Sequence, residues 1–282
     1  MTTYSQQTLN MFNLKGVDLQ ATLYTPNNNQ IKTTILYFHG GGLIFGNRQD
    51  LPNKYHQLFS ESGFSLLAVD YPLSPESSLS TIVGAVNNIL EWFTHNYLAT
   101  IDCKKYVIMG RSAGGYLAFS AGEYSNNLPN QPLGIISLYG YYNLLDASFS
   151  FPSQHYLQYP LVEQSIIAPM IDNKSISINQ DPNRYLIYLS ARQNGDWLGS
   201  MDEKREFSIS KKSIKSLPPL FLAAATNDPD VPTRQSRQLA NIHPNATLKL
   251  YDLNEHDFDR THEETIGIEL YNEIIVWISQ LN

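Results

Sequence analysis

Apolar and polar positions along the chain follow two alternating rhythms. Val17–Tyr24 switches between them residue by residue, the period of a half-exposed strand. Thr33–Phe38 (TTILYF), Ser65–Val69 (SLLAV), Tyr106–Met109, Gly134–Leu138 (GIISL) and Leu220–Ala224 are short, nearly continuous apolar runs. Strands of a parallel sheet, covered on both faces, read this way. Thr247–Leu253 predicts one more strand. Between the strands, Leu51–Ser60, Thr81–Phe93, Ala113–Gly122, Thr233–Ile242 and Glu263–Leu281 carry helical spacing. In the second of these, Ile82, Ala85, Val86, Ile89 and Phe93 share one face. Asn27-Asn28-Asn29 predicts a turn. Strands alternating with helices predict an α/β fold, a mostly parallel central sheet with helices on both faces.

The alternation breaks once. Tyr141–Leu217 separates two late core strands and is too long for a loop. It is rich in Tyr, Ser, Asn and Gln, while Ser165–Ile171 and Arg184–Leu189 hold enough apolar residues to fold. It is read as a cap-like, mostly helical insertion within one domain spanning residues 1–282.

Composition narrows the function classes. Apolar residues make up 42% and charged residues 16%, ordinary for a globular domain. The formal net charge of −7 argues against nucleic acid as a partner, because that binding needs clustered Lys and Arg. Lys211, Lys212 and Lys215 form the one local basic cluster, read as a solvated loop. The single cysteine, Cys103, excludes an intrachain disulfide and reads as a packing residue. The N-terminus lacks the basic start and apolar run of a signal peptide, and no apolar stretch reaches the ~20 residues of a membrane span. A cytoplasmic protein is the expectation, with its oligomeric state open.

Candidate chemistry begins at Gly110-Arg111-Ser112-Ala113-Gly114, a G-x-S-x-G pattern with an apolar strand before it and a helix after it. A sharp strand-to-helix turn presents the Ser112 hydroxyl at the strand's carboxyl end, and a Cβ at either flanking glycine would crowd it. The residue before the nucleophile points away from that hydroxyl, so Arg111 is expected to pair with a carboxylate. His39-Gly40-Gly41-Gly42 directly follows Thr33–Phe38, and its backbone N–H groups can approach an oxyanion unobstructed. His39 itself reads as a packed core residue. A base should follow both nucleophile and acid in chain order, in a loop after the last strand. His256 fits, with His262 the competitor. The loop after Leu220–Ala224 supplies the acid: Asp228 stands first, and Asp230 is the alternative as acid or helix cap. Asp257 and Asp259 lie too close in sequence to His256 to orient it.

Together, His39–Gly42, Asp70-Tyr71-Pro72-Leu73-Ser74-Pro75-Glu76, the Ser112 turn, Asp228 and His256 resemble the esterases related to hormone-sensitive lipase, of the α/β-hydrolase superfamily. The resemblance covers nearly all of the chain except the insertion. It implies carboxylic ester hydrolysis through an acyl-enzyme on Ser112, no cofactor and no metal. It also implies an oxyanion hole from Gly41, Gly42 and the N–H of Ala113. Arg111, where that family often has Asp, and Tyr71-Pro72, where it has Tyr-Arg, point toward the broader set of small bacterial and acetyl-xylan-esterase-like enzymes. A prolyl-oligopeptidase-type peptidase, an aryl formamidase or a non-catalytic binding protein would share the fold. The insertion interleaves Tyr141, Tyr142, Tyr156, Tyr159, Tyr185, Tyr188 and Trp197 with polar residues, which suits a small polar ester better than a lipid. Tyr71, Tyr141 and Trp197 are the substrate-binding candidates.

Overall fold

The computed structural model describes residues 3–27, 31–172, 176–178, 180–201 and 207–281. Asn28 and Asn29 of the expected turn lie outside them. The strands are β1 (Tyr4–Leu14), β2 (Val17–Pro26), β3 (Thr33–Phe38), β4 (Phe64–Val69), β5 (Tyr106–Arg111), β6 (Ile135–Leu138), β7 (Leu220–Ala225) and β8 (Ala246–Tyr251). They form one sheet in the order β1-β2-β4-β3-β5-β6-β7-β8. From β4 to β8 every neighbouring pair is parallel, while β1 pairs antiparallel with β2 and β2 with β4. This is the α/β-hydrolase fold.

The longer helices are α1 (Asn53–Glu61), α2 (Leu79–Trp92), α3 (Ala113–Ser125), α4 (Tyr185–Asn194), α5 (Arg234–Ile242) and α6 (Ile268–Gln280). Two cores follow from the strand period. Ile35, Tyr37, Val107 and Met109 point to the face covered by α1 and α6, where Tyr55, Phe59, Tyr271 and Ile274 pack. Leu36, Phe38 and Ile108 point to the other, against α2, α3 and Leu239 of α5. Both faces of β3, β4, β5, β6 and β7 are therefore buried, the physical reason these strands read as unbroken apolar runs.

The structure adds one strand that the apolar pattern did not reveal and revises one expectation. The apolar pattern does not predict β1, because an edge strand with most side chains in solvent needs no apolar alternation. The stretch between β6 and β7 carries less helix than its apolar content suggests: the ten-residue α4 and several turns of three to six residues. Pro152, Pro160, Pro169 and Pro182 interrupt it, and proline cannot sit in a helix interior. Side chains such as Leu144, Phe149, Leu189 and Trp197 pack the stretch into the core, and a buried ion pair ties it down. Fully buried Arg184 forms a bidentate pair with Glu76, 2.8 Å on each arm, and donates to the carbonyls of Ile44 and Ser74. Glu76, from the loop after β4, thereby fixes the start of α4 over the carboxyl edge of the sheet. No helix among the described residues is long and apolar enough to cross a membrane.

Candidate active site

Four loops meet at the carboxyl edge of the parallel strands, where open α/β sheets bind ligands. At the end of β5, Ser112 adopts φ 52° and ψ −119°, a backbone that side chains other than glycine rarely take. The turn is tight because α3 starts immediately and crosses β3 at contact distance. A Cβ on Gly114 would lie 2.0 Å from the carbonyl oxygen of Phe38, and one on Gly110 would lie 1.9 Å from that of Gly114. Both glycines of the pattern are thus demanded by close approach.

The histidine loop follows β8 and the aspartate loop follows β7. Thr226 and Asn227 donate backbone N–H bonds to the carbonyls of Tyr251 and Leu253, which ties the two loops together. His256 Nε2 stands 2.8 Å from Ser112 Oγ, and His256 Nδ1 stands 2.7 Å from Asp228 Oδ2. The other Asp228 oxygen accepts the N–H groups of Asp230 and Val231 at 2.8 and 2.9 Å. Those bonds fix the orientation of the carboxylate. Asp230, the alternative acid, lies on the opposite side of the ring, its Oδ2 3.8 Å from Nε2. His262 contacts Glu255 instead. Burial disfavours the protonated form of His256, but the charge and hydrogen bond of Asp228, with help from Asp230 and Asp257, outweigh it and raise its pKa above the ordinary histidine value.

The glycine loop after β3 supplies the facing wall. Ala113 opens α3, so its N–H has no intrahelical acceptor. The N–H groups of Gly41 and Gly42 also find no protein acceptor among the described residues. A Cβ on Gly42 would lie 2.3 Å from the Tyr188 ring, so only glycine lets α4 pack this closely behind the loop. His39 is buried and stacks on Tyr71, while its Nδ1 lies 2.7 Å from the Gly40 carbonyl. Burial pushes its pKa down, so it stays neutral and braces the loop.

The cavity over Ser112 measures about 300 Å³. Besides Ser112, His256 and the glycine loop, its lining includes Phe45, Tyr156, Tyr185, Tyr188, Asp230 and, at another side, Asp50, Arg111 and Asp257. Tyr71, Tyr141 and Trp197 are not part of it. Tyr71 is 1% exposed and donates to the His39 carbonyl; Trp197, also 1% exposed, donates Nε1–H to the Gly42 carbonyl; Tyr141 stacks on Tyr116. Tyr71 and Trp197 hold the loop from the core side, and Tyr141 packs against Trp197. Composition could single out an aromatic-rich segment but not which rings reach the cavity. The cavity's tyrosines come from that same segment, one helical turn of which carries both Tyr185 and Tyr188. Asp230 was legible only as a competitor to Asp228, not as a wall of its own.

Arg111 is 2% exposed and its head lies in a carboxylate cluster. It pairs with fully buried Asp259 at 3.1 Å and Asp50 at 3.4 Å, and its Nε donates to the Tyr139 hydroxyl at 2.6 Å. That hydroxyl in turn donates to Asp259 at 2.7 Å. Removing one partner of such a pair strands the other charge in the interior, at a cost of roughly 3–5 kcal/mol. Arg111→Ala should therefore lower the urea midpoint by that equivalent. A variant of undiminished stability with a tenfold higher KM would instead make Arg111 a substrate contact.

Comparison with known proteins agrees with this architecture. Residues 35–260 match a family model described as alpha/beta hydrolase fold. An acetyl esterase from Salmonella paratyphi B is 26% identical over 134 residues, 46% of this chain and 41% of that protein. The matched region thus spans well under half the length of that curated relative. A crystal structure of a protein of unknown function from Staphylococcus aureus subsp. aureus Mu50 superposes with a TM-score of 0.87 and 26% identity, covering 98% of this chain and 99% of that one. An alpha/beta hydrolase superfamily protein from Enterococcus faecalis gives a TM-score of 0.86 at 24% identity, over 98% of this chain and 99% of its own.

Proposed function

The chain belongs to the α/β-hydrolase fold family, and from that premise we propose that it is a serine carboxylesterase of the kind related to hormone-sensitive lipase, acting on short-chain acyl esters. One observation carries the reading: the unbroken chain of hydrogen-bond distances from Ser112 Oγ through His256 to Asp228. It lies beside backbone N–H groups that have no acceptor among the described residues.

The chemistry follows from the geometry. Ser112 Oγ attacks the acyl carbon as His256 Nε2 takes its proton. A bond from Oγ to the acyl carbon forms, and the carbonyl electrons move onto oxygen. The N–H groups of Gly41, Gly42 and Ala113 stabilise that oxyanion. Asp228 holds the imidazole with Nδ1 protonated and balances the imidazolium. His256 then gives its proton to the departing alcohol oxygen as the ester C–O bond breaks. Water, deprotonated by the same nitrogen, attacks the acyl-enzyme and regenerates Ser112. No cofactor or metal enters these steps.

Chain length follows from size. A cavity near 300 Å³ lies at the small end of ligand sites. Its three tyrosines come from residues 141–217, which act as a cap on this reading. A p-nitrophenyl ester series should peak between acetate and butyrate and fall steeply by octanoate. A maximum at decanoate or longer would mean that the cap covers a lipid tunnel.

A further inference from the structure

We propose that Asp230 selects esters whose alcohol carries a neutral hydroxyl next to the ester oxygen, an inference that rests on the serine-esterase reading above. The Asp230 carboxylate forms part of the cavity wall beside Tyr188. It is 6% exposed, and it lines the same space as Ser112 and His256. Its place relative to the reaction is fixed by His256. Nε2 must deliver its proton to the departing alcohol oxygen, so that oxygen comes within about 3 Å of Nε2. Asp230 Oδ2 lies 3.8 Å from the same nitrogen. The alcohol half of the substrate therefore passes directly beside Asp230.

The state of this carboxylate defines what it can accept. Both oxygens lie 2.8 Å from the Tyr188 hydroxyl, which has a single hydrogen to share between them. An ionised carboxylate offers about four acceptor positions, so acceptor capacity remains after that bond. Arg192 holds the carboxylate in place: its Nη2 lies 3.4 Å from Oδ1 and donates to the Asp230 backbone carbonyl at 3.1 Å. Arg192 is itself clamped among the rings of Phe149, Tyr156 and Tyr188. A substrate hydroxyl therefore finds an open acceptor beside Nε2. A hydroxyl on the adjacent carbon reaches Asp230 while the ester oxygen faces Nε2. Monoacylated diols and partly acylated sugars have that arrangement.

The test compares 2-hydroxyethyl acetate with 2-methoxyethyl acetate, whose leaving alcohols have similar acidity and of which only the first can donate. In the wild type, kcat/KM should favour the hydroxyl ester by about tenfold, the scale of one buried hydrogen bond. In Asp230→Asn the ratio should fall toward one, because the one remaining acceptor oxygen is uncharged and already accepts from Tyr188, and hydrogen bonds to charged groups are the stronger ones. Using a ratio within each variant cancels any effect on His256. A wild-type ratio near one, or a ratio unchanged in Asp230→Asn, overturns the proposal. So does acetylcholine hydrolysed faster than 2-hydroxyethyl acetate, which would mean that the site reads positive charge. If Asp230→Asn does not fold, Tyr188→Phe reads the same contact: freeing an acceptor should hold or raise the ratio, and a fall would count against it. Ser112→Ala separates the two levels. Wild-type rates in that variant would end the esterase reading and this inference with it. Lost turnover of both esters, with a wild-type ratio of one, ends only this inference.

Discussion

Ser112→Ala is expected to lower kcat for p-nitrophenyl acetate by about 10⁴–10⁶ while leaving the fold intact. The size follows from the geometry. With Oγ gone, His256 Nε2 has no nucleophile 2.8 Å away to deprotonate, and the acyl-enzyme cannot form. What remains is the N–H groups of the glycine loop and the binding of substrate, which alone retain only a small residue of catalysis. The backbone strain at φ 52° does not depend on the hydroxyl, so thermal unfolding should barely move. A fluorophosphonate should add to Ser112 alone in the wild type and to nothing in the variant, as read by peptide mass spectrometry. Labelling at another serine, or full activity in the variant, would remove the basis of the proposed mechanism.

Asp228→Asn is expected to lower kcat by about 10⁴, the loss known when an amide replaces a triad carboxylate. Asn is nearly isosteric, and its carbonyl can still accept the N–H groups of Asp230 and Val231 that Oδ1 accepts. Its amide nitrogen would then face Nδ1 and favour the tautomer with the proton on Nε2, the nitrogen that must be free. The pH profile should also move. Asp228 raises the pKa of His256, against the opposing effect of burial. Deleting the carboxylate lowers that pKa. Since kcat/KM needs the neutral imidazole, its acid limb should shift to lower pH. A pH–rate series on both proteins measures this; an acid limb moving upward, or activity within tenfold of wild type, would show that Asp228 is not the orienting acid.

Much of this arrangement was legible in the chain. Fully buried strands have to be apolar on both faces, so the runs TTILYF and GIISL are enough to announce a parallel sheet. The strained turn at Ser112 needs glycine two residues to either side, because a Cβ on Gly114 would strike β3 and one on Gly110 would strike the first turn of α3. That constraint is local, and local constraints are written in adjacent residues. The order of nucleophile, acid and base follows from where β5, β7 and β8 end. These features determined the fold class, the α/β-hydrolase family and the candidate residues Ser112, Asp228 and His256.

Other features depend on contacts between distant segments, which leave no periodic trace. Arg111 needed a carboxylate, but Asp259 lies 148 positions away and reaches it only because α6 and the histidine loop pack beside β5. Arg184 and Glu76, 108 positions apart, fix the insertion in the same way. The solvent-facing β1 carried no apolar alternation to betray it. Asp228 and Asp230 are two residues apart and chemically identical. Only the turn between them decides that one faces Nδ1 and the other stands near Nε2. Which aromatics reach the cavity was likewise set by packing: Tyr71 and Trp197 are drawn behind the glycine loop by hydrogen bonds, Tyr141 stacks on Tyr116, and Tyr156, Tyr185 and Tyr188 line the cavity over the serine. Sequence periodicity specifies which face of its own element a side chain occupies; only the three-dimensional docking of elements specifies what that face meets.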